Sequence, residues 1–179
     1  SLPNDGRVIV WPVVNLEEWP PELPLPRRIL TPPGEGSHVP DIPNWCWSEY
    51  GMRIGIWRLM EVLSNLNITP TVSMNGTVPK AYPRVAEAAL KAGWEFMGHS
   101  YIQKPMYELD DEKEAIFKTM ETMHAFCGYK PRGWMGPGLT QTEQTPELLI
   151  EAGFEYTADW ILDDQPCPIN TAHGELYSI

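Results

Sequence analysis

The chain has 179 residues, of which 42% are hydrophobic and 21% are charged, so it can fill the core of one domain and is not typical of a disordered segment. Its formal net charge of −11 disfavours a nucleic-acid partner, because proteins that bind nucleic acids present basic patches. No apolar run approaches the ~18 residues that span a bilayer, and the first residues lack a secretory signal pattern, so we expect no membrane association.

The pattern of short apolar runs and longer amphipathic runs predicts six strands and four helices in alternation. The predicted strands cover residues 7–15, 69–74, 94–98, 132–136, 154–158 and 175–179, and the helices cover 52–65, 82–92, 110–126 and 145–152. Strict alternation predicts parallel strands with right-handed crossovers, in either an open doubly wound sheet or a (β/α) barrel. No GxGxxG follows the first strand and no GxxxxGK[ST] occurs, which disfavours the nucleotide-binding versions of the open sheet.

One stretch lies outside this alternation. The chain carries eight prolines from Pro20 to Pro43, flanked by Trp19, Trp45 and Trp47. Because proline fixes φ and lacks an N–H, the stretch predicts a loop over residues 19–47 that packs on the body of the domain. A lid beside a site and an interface arm are both compatible with it.

The three cysteines, Cys46, Cys127 and Cys167, are far apart and form no CxxC pair. An odd number of distant cysteines makes a disulfide framework improbable in a chain of this size. We therefore expect free thiols and a reduced, cytoplasmic setting.

The residues that follow the predicted strands are the candidates for chemistry, because sites in parallel α/β folds lie at the carboxyl ends of the strands. These ends read Asn15-Leu-Glu-Glu-Trp19, Asn75-Gly76, His99-Ser100, Gly136-Pro-Gly138 and Asp159-Trp160. Carboxylates, one histidine and glycines thus gather at one edge, which predicts a general acid/base site. The apolar residues near these ends are predicted to lie in the core: Met74, Phe96, Met97 and Met135.

Four segments together resemble the polysaccharide deacetylase (NodB-homology) family, and within it the branch of allantoinase-like and cyclic-imide-hydrolysing enzymes. They are residues 15–19 (NLEEW), 50–58 (YGMRIGIWR), 92–100 (AGWEFMGHS) and 131–138 (PRGWMGPG). The resemblance covers nearly the whole chain. It implies an irregular (β/α) barrel that hydrolyses amide C–N bonds, usually with a divalent metal, and a small cyclic amide or a sugar as substrate.

The resemblance also assigns roles to individual residues. The first family motif ends in two aspartates, a general base and then a metal ligand, and Glu17 and Glu18 stand at those places. In the second motif, His-Ser/Thr-x-x-His, the first and last residues bind metal, and here they are His99 and Gln103. Glu17 and His99 are thus the implied catalytic residues, with Glu18 and His99 as metal ligands only if a metal is bound.

Two departures from the family bear on the cofactor. Gln103 replaces a histidine, and a neutral amide is a poor zinc ligand. Met135 stands where the family usually has arginine. Because allantoinase-like members that lack the full metal triad are reported to work without metal, we expect no cofactor, with a weakly bound Zn²⁺ as the alternative. The implied substrate-binding residues are Asn15, Trp19, Trp47, Arg53, Gln103 and Pro137, of which Arg53 either binds a substrate carboxylate or carbonyl or pairs with a nearby acid.

The length is short for the implied fold. A (β/α)₈ barrel takes about 250 residues and rarely fewer than about 200, whereas this chain has 179 and closes with an apolar run at 175–179. The family's later motifs, an Asp followed by a Trp and a Leu-x-His that supplies the catalytic acid, are expected after residue 179. We therefore predict that residues 1–179 are a single, partial catalytic domain that lacks its C-terminal strands and helices. A partner subunit that completes the barrel is the alternative to a partial chain. For the function, the alternatives are a metal-dependent polysaccharide (N-acetyl sugar) deacetylase and a non-catalytic binding domain on the same fold. A homo-oligomer is compatible with the sequence.

Overall fold

Seven strands form one sheet in the computed structural model, which describes residues 6–25, 28–31 and 38–179. The strands are β1 (Val13–Leu16), β2 (Thr71–Met74), β3 (Glu95–Gly98), β4 (Gly133–Trp134), β5 (Tyr156–Thr157), β6 (Cys167–Thr171) and β7 (Gly174–Ser178). Their order across the sheet is β1-β2-β3-β4-β5-β7-β6. All neighbours are parallel except β6 and β7, so the predicted α/β fold with a parallel sheet is confirmed.

Six α-helices connect the described strands: α1 (Ile42–Tyr50), α2 (Ile56–Asn65), α3 (Val78–Ala81), α4 (Pro83–Lys91), α5 (Glu112–Cys127) and α6 (Thr145–Ala152). A π-helical turn, Gly51–Gly55, joins α1 directly to α2. The helix predicted over 145–152 is confirmed residue for residue, because a proline in its first turn and a left-handed Gly153 fix its two ends. Helix α5 begins after Asp111, whose carboxylate accepts a hydrogen bond from Glu114 N.

The prediction of a loop throughout residues 19–47 is wrong at its C-terminal end, where α1 begins at Ile42. Pro43 lies in the first turn of this helix, where a missing N–H leaves no helical hydrogen bond unmade. Asp41 caps the turn by accepting from Asn44 N, and both Trp45 and Trp47 lie on the helix. Pro26, Pro32 and Pro33 of the predicted loop lie outside the described residues.

The first strand is shorter than its apolar run. Pairing between β1 and β2 begins at Val13 and Thr71, because β2 starts directly after Pro70. Residues 8–10 therefore have no strand beside them among the described residues, and their side chains are exposed.

The sequence analysis missed β6 and was wrong to make every strand parallel. Strand β6 pairs antiparallel with β7 through a tight turn at Ala172 and His173, and Pro168 within it weakened the strand signal. Since β7 lies between β5 and β6, the apolar run at 175–179 is not a bare edge, and the described sheet ends at β1 and β6.

The core consists of two clusters of buried side chains. One joins β1, β2 and β3 to α2 and α4 through residues such as Leu16, Met74 and Phe96. The other joins β4 and β7 to α5 and α6 through Trp134, Leu149 and Leu176. Met74, Phe96 and Met97 are fully buried as predicted, whereas Met135 is half-buried and contributes to a cavity.

Two further expectations concern the cysteines and membrane-spanning segments. All three cysteines are free thiols, as predicted, and the cytoplasmic location stays a prediction. Within the described residues, no helix has both the length and the apolar character needed to span a bilayer.

We predict that Gly98→Ala destabilises the fold by about 1–3 kcal/mol, because extra atoms in a packed core force strain. A Cβ at Gly98 would lie 2.9 Å from Trp134 and 3.1 Å from Phe154, two buried rings packed edge to face. Denaturant unfolding measures the change. Gly51→Ala is the control, since its Cβ meets nothing within 4 Å and its φ is helical, so it should leave stability equal or higher. Equal stability of the two variants would contradict the packing argument.

Candidate active site

A cavity of about 580 Å³ lies at the carboxyl edge of the parallel strands, where the sequence analysis expects the chemistry. Its lining includes residues at the ends of three of the strands: Asn15 near the end of β1 with Glu17 and Trp19 after it, His99 and Gln103 after β3, and Met135 and Gly136 after β4. The structure therefore brings Glu17 and His99 together.

His99 is almost fully buried and held from both sides of its ring. Nδ1 lies within hydrogen-bond distance of the Met135 carbonyl oxygen, and Nε2 lies 3.2 Å from Oε1 of Glu17. A carbonyl oxygen only accepts, so Nδ1 carries a hydrogen. Nε2 then faces the Glu17 carboxylate, and the two side chains form an ion pair when Nε2 also carries a proton.

Glu17 receives three hydrogen bonds on its carboxylate. Besides His99, Asn15 Nδ2 donates to Oε1 at 3.1 Å and Trp19 Nε1 donates to Oε2 at 2.8 Å. Burial raises the pKa of Glu17, but the hydrogen bond and charge of His99 together with the other two donors outweigh it, so the pKa lies below its ordinary value. Glu17 is therefore a carboxylate at neutral pH, with 22% of its side chain open to solvent.

Asn75, at the end of β2, ties the surrounding loops together. Its side chain is fully buried, donates to the His99 carbonyl oxygen and to Gln103 Oε1, and accepts from Glu18 N at 3.1 Å. These bonds join the ends of β1 and β3 through one amide. The sequence analysis noted Asn75 only as a strand end, and a polar residue at the end of a fully buried strand was the available signal.

Asp159 is a second residue that the site assignment missed. Its carboxylate accepts from Gly136 N at 2.7 Å, Gln141 Nε2 at 2.6 Å and Thr157 Oγ1 at 3.0 Å. Burial raises the pKa of Asp159 more than these bonds and the charge of His99 lower it. Asp159 thus fixes the segment whose carbonyl orients His99. It is also followed by Trp160, so an Asp–Trp pair, expected only after residue 179, already occurs at the end of β5.

The residues present do not fit the family's metal site. Glu18 is absent from the cavity lining, and its charge instead adds to burial and Glu49 in raising the pKa of Tyr82. Gln103 Oε1 is occupied by the Asn75 amide, and His99 Nε2 faces Glu17. In the described part of the chain, no three His, Cys, Asp or Glu side chains come together to hold a metal ion.

The other predicted substrate-binding residues divide into three groups. Asn15, Trp19, Trp47 and Gln103 line the cavity. Pro137 lines an adjoining cavity of about 510 Å³. Arg53 is exposed in a separate cleft beside Tyr82 and Arg84, so the structure does not bring it to the site.

The proline-rich segment contributes to the same cavity. Leu25 and Ile29 line it, and the buried Asn44 of α1 accepts from the backbone N–H groups of Ile29 and Leu30 at 2.8 Å each. Asn44 also donates to the Leu30 carbonyl oxygen. These hydrogen bonds hold the described part of the segment against the cavity. They favour a lid beside the site over an interface arm.

The family of the chain follows from its sequence. The family model for polysaccharide deacetylases matches residues 49–157, more than half of the chain. The chain therefore belongs to the polysaccharide deacetylase family. No curated protein matches it significantly in sequence.

Three solved structures illustrate the likeness, and the chain spans about half the length of each. A probable polysaccharide deacetylase from Pseudomonas aeruginosa PAO1 is 26% identical with a TM-score of 0.72, over 81% of this chain and 50% of that one. PuuE allantoinase is also 26% identical, with a TM-score of 0.71 over 78% of this chain and 47% of its own. A protein from Mycobacterium smegmatis assigned as a polysaccharide deacetylase is 25% identical, with a TM-score of 0.69 over 75% and 48%.

We predict that His99→Asn raises the pKa of Glu17 above its value in the native chain, because burial stays while the hydrogen bond and charge of His99 are lost. In the native chain, the lowered pKa adds stability above pH 4.5 that is lost as the pH falls through the folded value. The variant therefore loses part of this contribution. NMR titration of labelled glutamate carboxyl carbons measures the shift, with the exposed His173→Asn as control. An unchanged Glu17 titration in His99→Asn would disprove that His99 lowers the pKa of Glu17.

Proposed function

We propose that this chain is part of a hydrolase of C–N bonds other than peptide bonds, which opens a cyclic amide, imide or ureide by attack of an activated water. The observation that carries the proposal is the Glu17–His99 pair at 3.2 Å in the lining of a cavity at the carboxyl edge of the sheet. Membership of the polysaccharide deacetylase family supports the reaction class.

Glu17 and His99 have separate roles in the proposed reaction. Glu17, as the carboxylate, removes a proton from water while the water oxygen bonds to the substrate carbonyl carbon. His99 orients the water or stabilises the negative oxygen that forms. The C–N bond then breaks, and the nitrogen takes the proton that Glu17 received. One water is consumed, and the ring opens to a carboxylic acid and, according to the ring, an amine, an amide or a urea.

A small ring is favoured over a polymer for three reasons. First, the likeness to PuuE allantoinase extends to a protein named for a cyclic ureide. Second, the indole of Trp19 and the half-exposed indole of Trp47 both line the cavity and suit a flat ring. Third, an imide or ureide carbonyl is activated enough for attack by water without a metal, which agrees with a donor set that does not fit one.

We predict that Glu17→Gln lowers kcat by about 10²–10⁴-fold on the substrate that the protein hydrolyses, the range lost with a general base. Glu87→Gln, the same change on the exposed side of α4, is the matched control for charge and folding. Turnover of allantoin, hydantoin, succinimide and N-acetylglucosamine oligomers is measured with both variants and the native protein. Retained activity in Glu17→Gln would remove Glu17 from the base role.

Metal dependence is tested in the same assay. We expect activity to survive a chelator and Glu18→Gln to retain turnover, since Glu18 is absent from the cavity lining. Loss of activity in both treatments would select a metal-dependent deacetylase instead. Absence of turnover on every substrate, with binding retained, would select a non-catalytic binding domain.

A further inference from the structure

A second cavity adjoins the first and has no role in the chemistry above. It has a volume of about 510 Å³ and shares Trp19, Leu25, Gln103 and Gly138 with the lining of the first. Its volume falls within the roughly 300–1,000 Å³ typical of small-molecule cavities. A molecule held beside Glu17 can therefore extend past Trp19 into this space.

The wall shared by the two cavities is fixed. Trp19 Nε1 donates to Glu17 Oε2 at 2.8 Å, and the Trp19 carbonyl oxygen accepts from Trp45 Nε1 at 2.7 Å. Trp19 is thus held both by a catalytic carboxylate and by α1. Trp19, which lines both cavities, is therefore held in one position between them.

The loops around the second cavity are also held in place by hydrogen bonds. Met106 N donates to Thr140 Oγ1 at 2.9 Å, and Thr140 Oγ1 donates to the Pro137 carbonyl oxygen at 2.7 Å. These bonds fasten the loop after β3 to the loop after β4. A cavity between fastened loops binds a ligand without the entropy cost of ordering them.

The lining of the second cavity is mostly apolar and carries no net charge, with Gln103 and Thr140 as its uncharged polar side chains. Its apolar residues are Leu23, Pro24, Leu25, Pro105 and Pro137, and Tyr107 adds an aromatic ring that is 64% exposed. Lys104 and Glu108 lie in the same lining and have opposite charges. Such a wall favours a neutral apolar group over an anion or a sugar, which needs more hydrogen-bonding partners.

We propose that the second cavity binds an apolar substituent of the ring substrate, such as an aryl or branched alkyl group on a ring carbon. This inference rests on the proposed function, because it places the ring itself beside Glu17. It makes the preferred substrates substituted hydantoins or imides in place of the bare rings. Apolar contacts in a fixed pocket discriminate by about 10-fold or more for each group that fills it.

The test compares 5-benzylhydantoin with hydantoin in the intact protein. We expect kcat/KM to be at least about tenfold higher for the benzyl compound. Tyr107→Ala should reduce this ratio about threefold or more, and Leu23→Trp, which fills the cavity, should reduce it further. Tyr177→Ala removes an exposed tyrosine of β7, far from both cavities in sequence and absent from their linings, and should leave the ratio unchanged.

Calorimetric binding of the same two compounds to Glu17→Gln separates this inference from the proposed function. Tighter binding of the benzyl compound without any turnover in the native protein would reject the proposed reaction and retain the subsite. Turnover of both compounds with equal kcat/KM and equal affinity would overturn the subsite alone. A carboxymethylhydantoin preferred over the benzyl compound, or N-acetylglucosamine oligomers preferred over both rings, would overturn the apolar assignment.

Discussion

The contact between Glu17 and His99 is the interaction on which the site depends. It requires the His99 ring to present Nε2 to the carboxylate, and the Met135 carbonyl oxygen enforces this by accepting from Nδ1. Three strands therefore have to end in register: β1 supplies Glu17, β3 supplies His99 and β4 supplies the carbonyl. Parallel pairing along β1, β2, β3 and β4 provides that register.

Two polar residues behind the pair, the fully buried Asn75 and the half-buried Asp159, keep these strand ends in place. Asn75 bonds to the backbone of Glu18 and His99 and to the Gln103 side chain, while Asp159 receives the N–H of Gly136, next to Met135. Neither residue lines the cavity. Both act through other groups, and a buried polar side chain with all its bonds made holds its partners in one arrangement. The geometry of the site thus depends on hydrogen bonds of the Asn75 amide and the Asp159 carboxylate, which lie behind the cavity lining.

Trp19 links the Glu17–His99 pair to the second cavity. Trp19 donates to the proposed base and at the same time forms the wall between the two cavities, so the reacting geometry and the binding space share one side chain. The hydrogen bonds of Asn44 with Ile29 and Leu30 hold the described part of the proline-rich segment over the same region. The shape of this region is therefore a consequence of how the segment after β1 packs on α1.

Local signals in the sequence determined much of the fold: the proline and glycine that bound α6, the acidic cap of α5 and the apolar runs of β2 and β3. The motifs also indicated the family and the residues Glu17 and His99. Local signals failed where a distant partner decides the outcome. Strand β1 is short because its neighbour begins after Pro70, and β6 exists, despite Pro168, because β7 folds back beside it.

The tertiary structure alone decided which functional side chains meet. Glu17 and Glu18 are adjacent and alike in sequence, yet only Glu17 faces the cavity, since consecutive side chains at the end of a strand point to opposite sides. Arg53 lies in a cleft of its own, and Asp159 reaches the segment beside His99 from a strand that is two positions further across the sheet. A sequence fixes which groups are available, whereas the distances between them depend on the register of strands that are far apart along the chain.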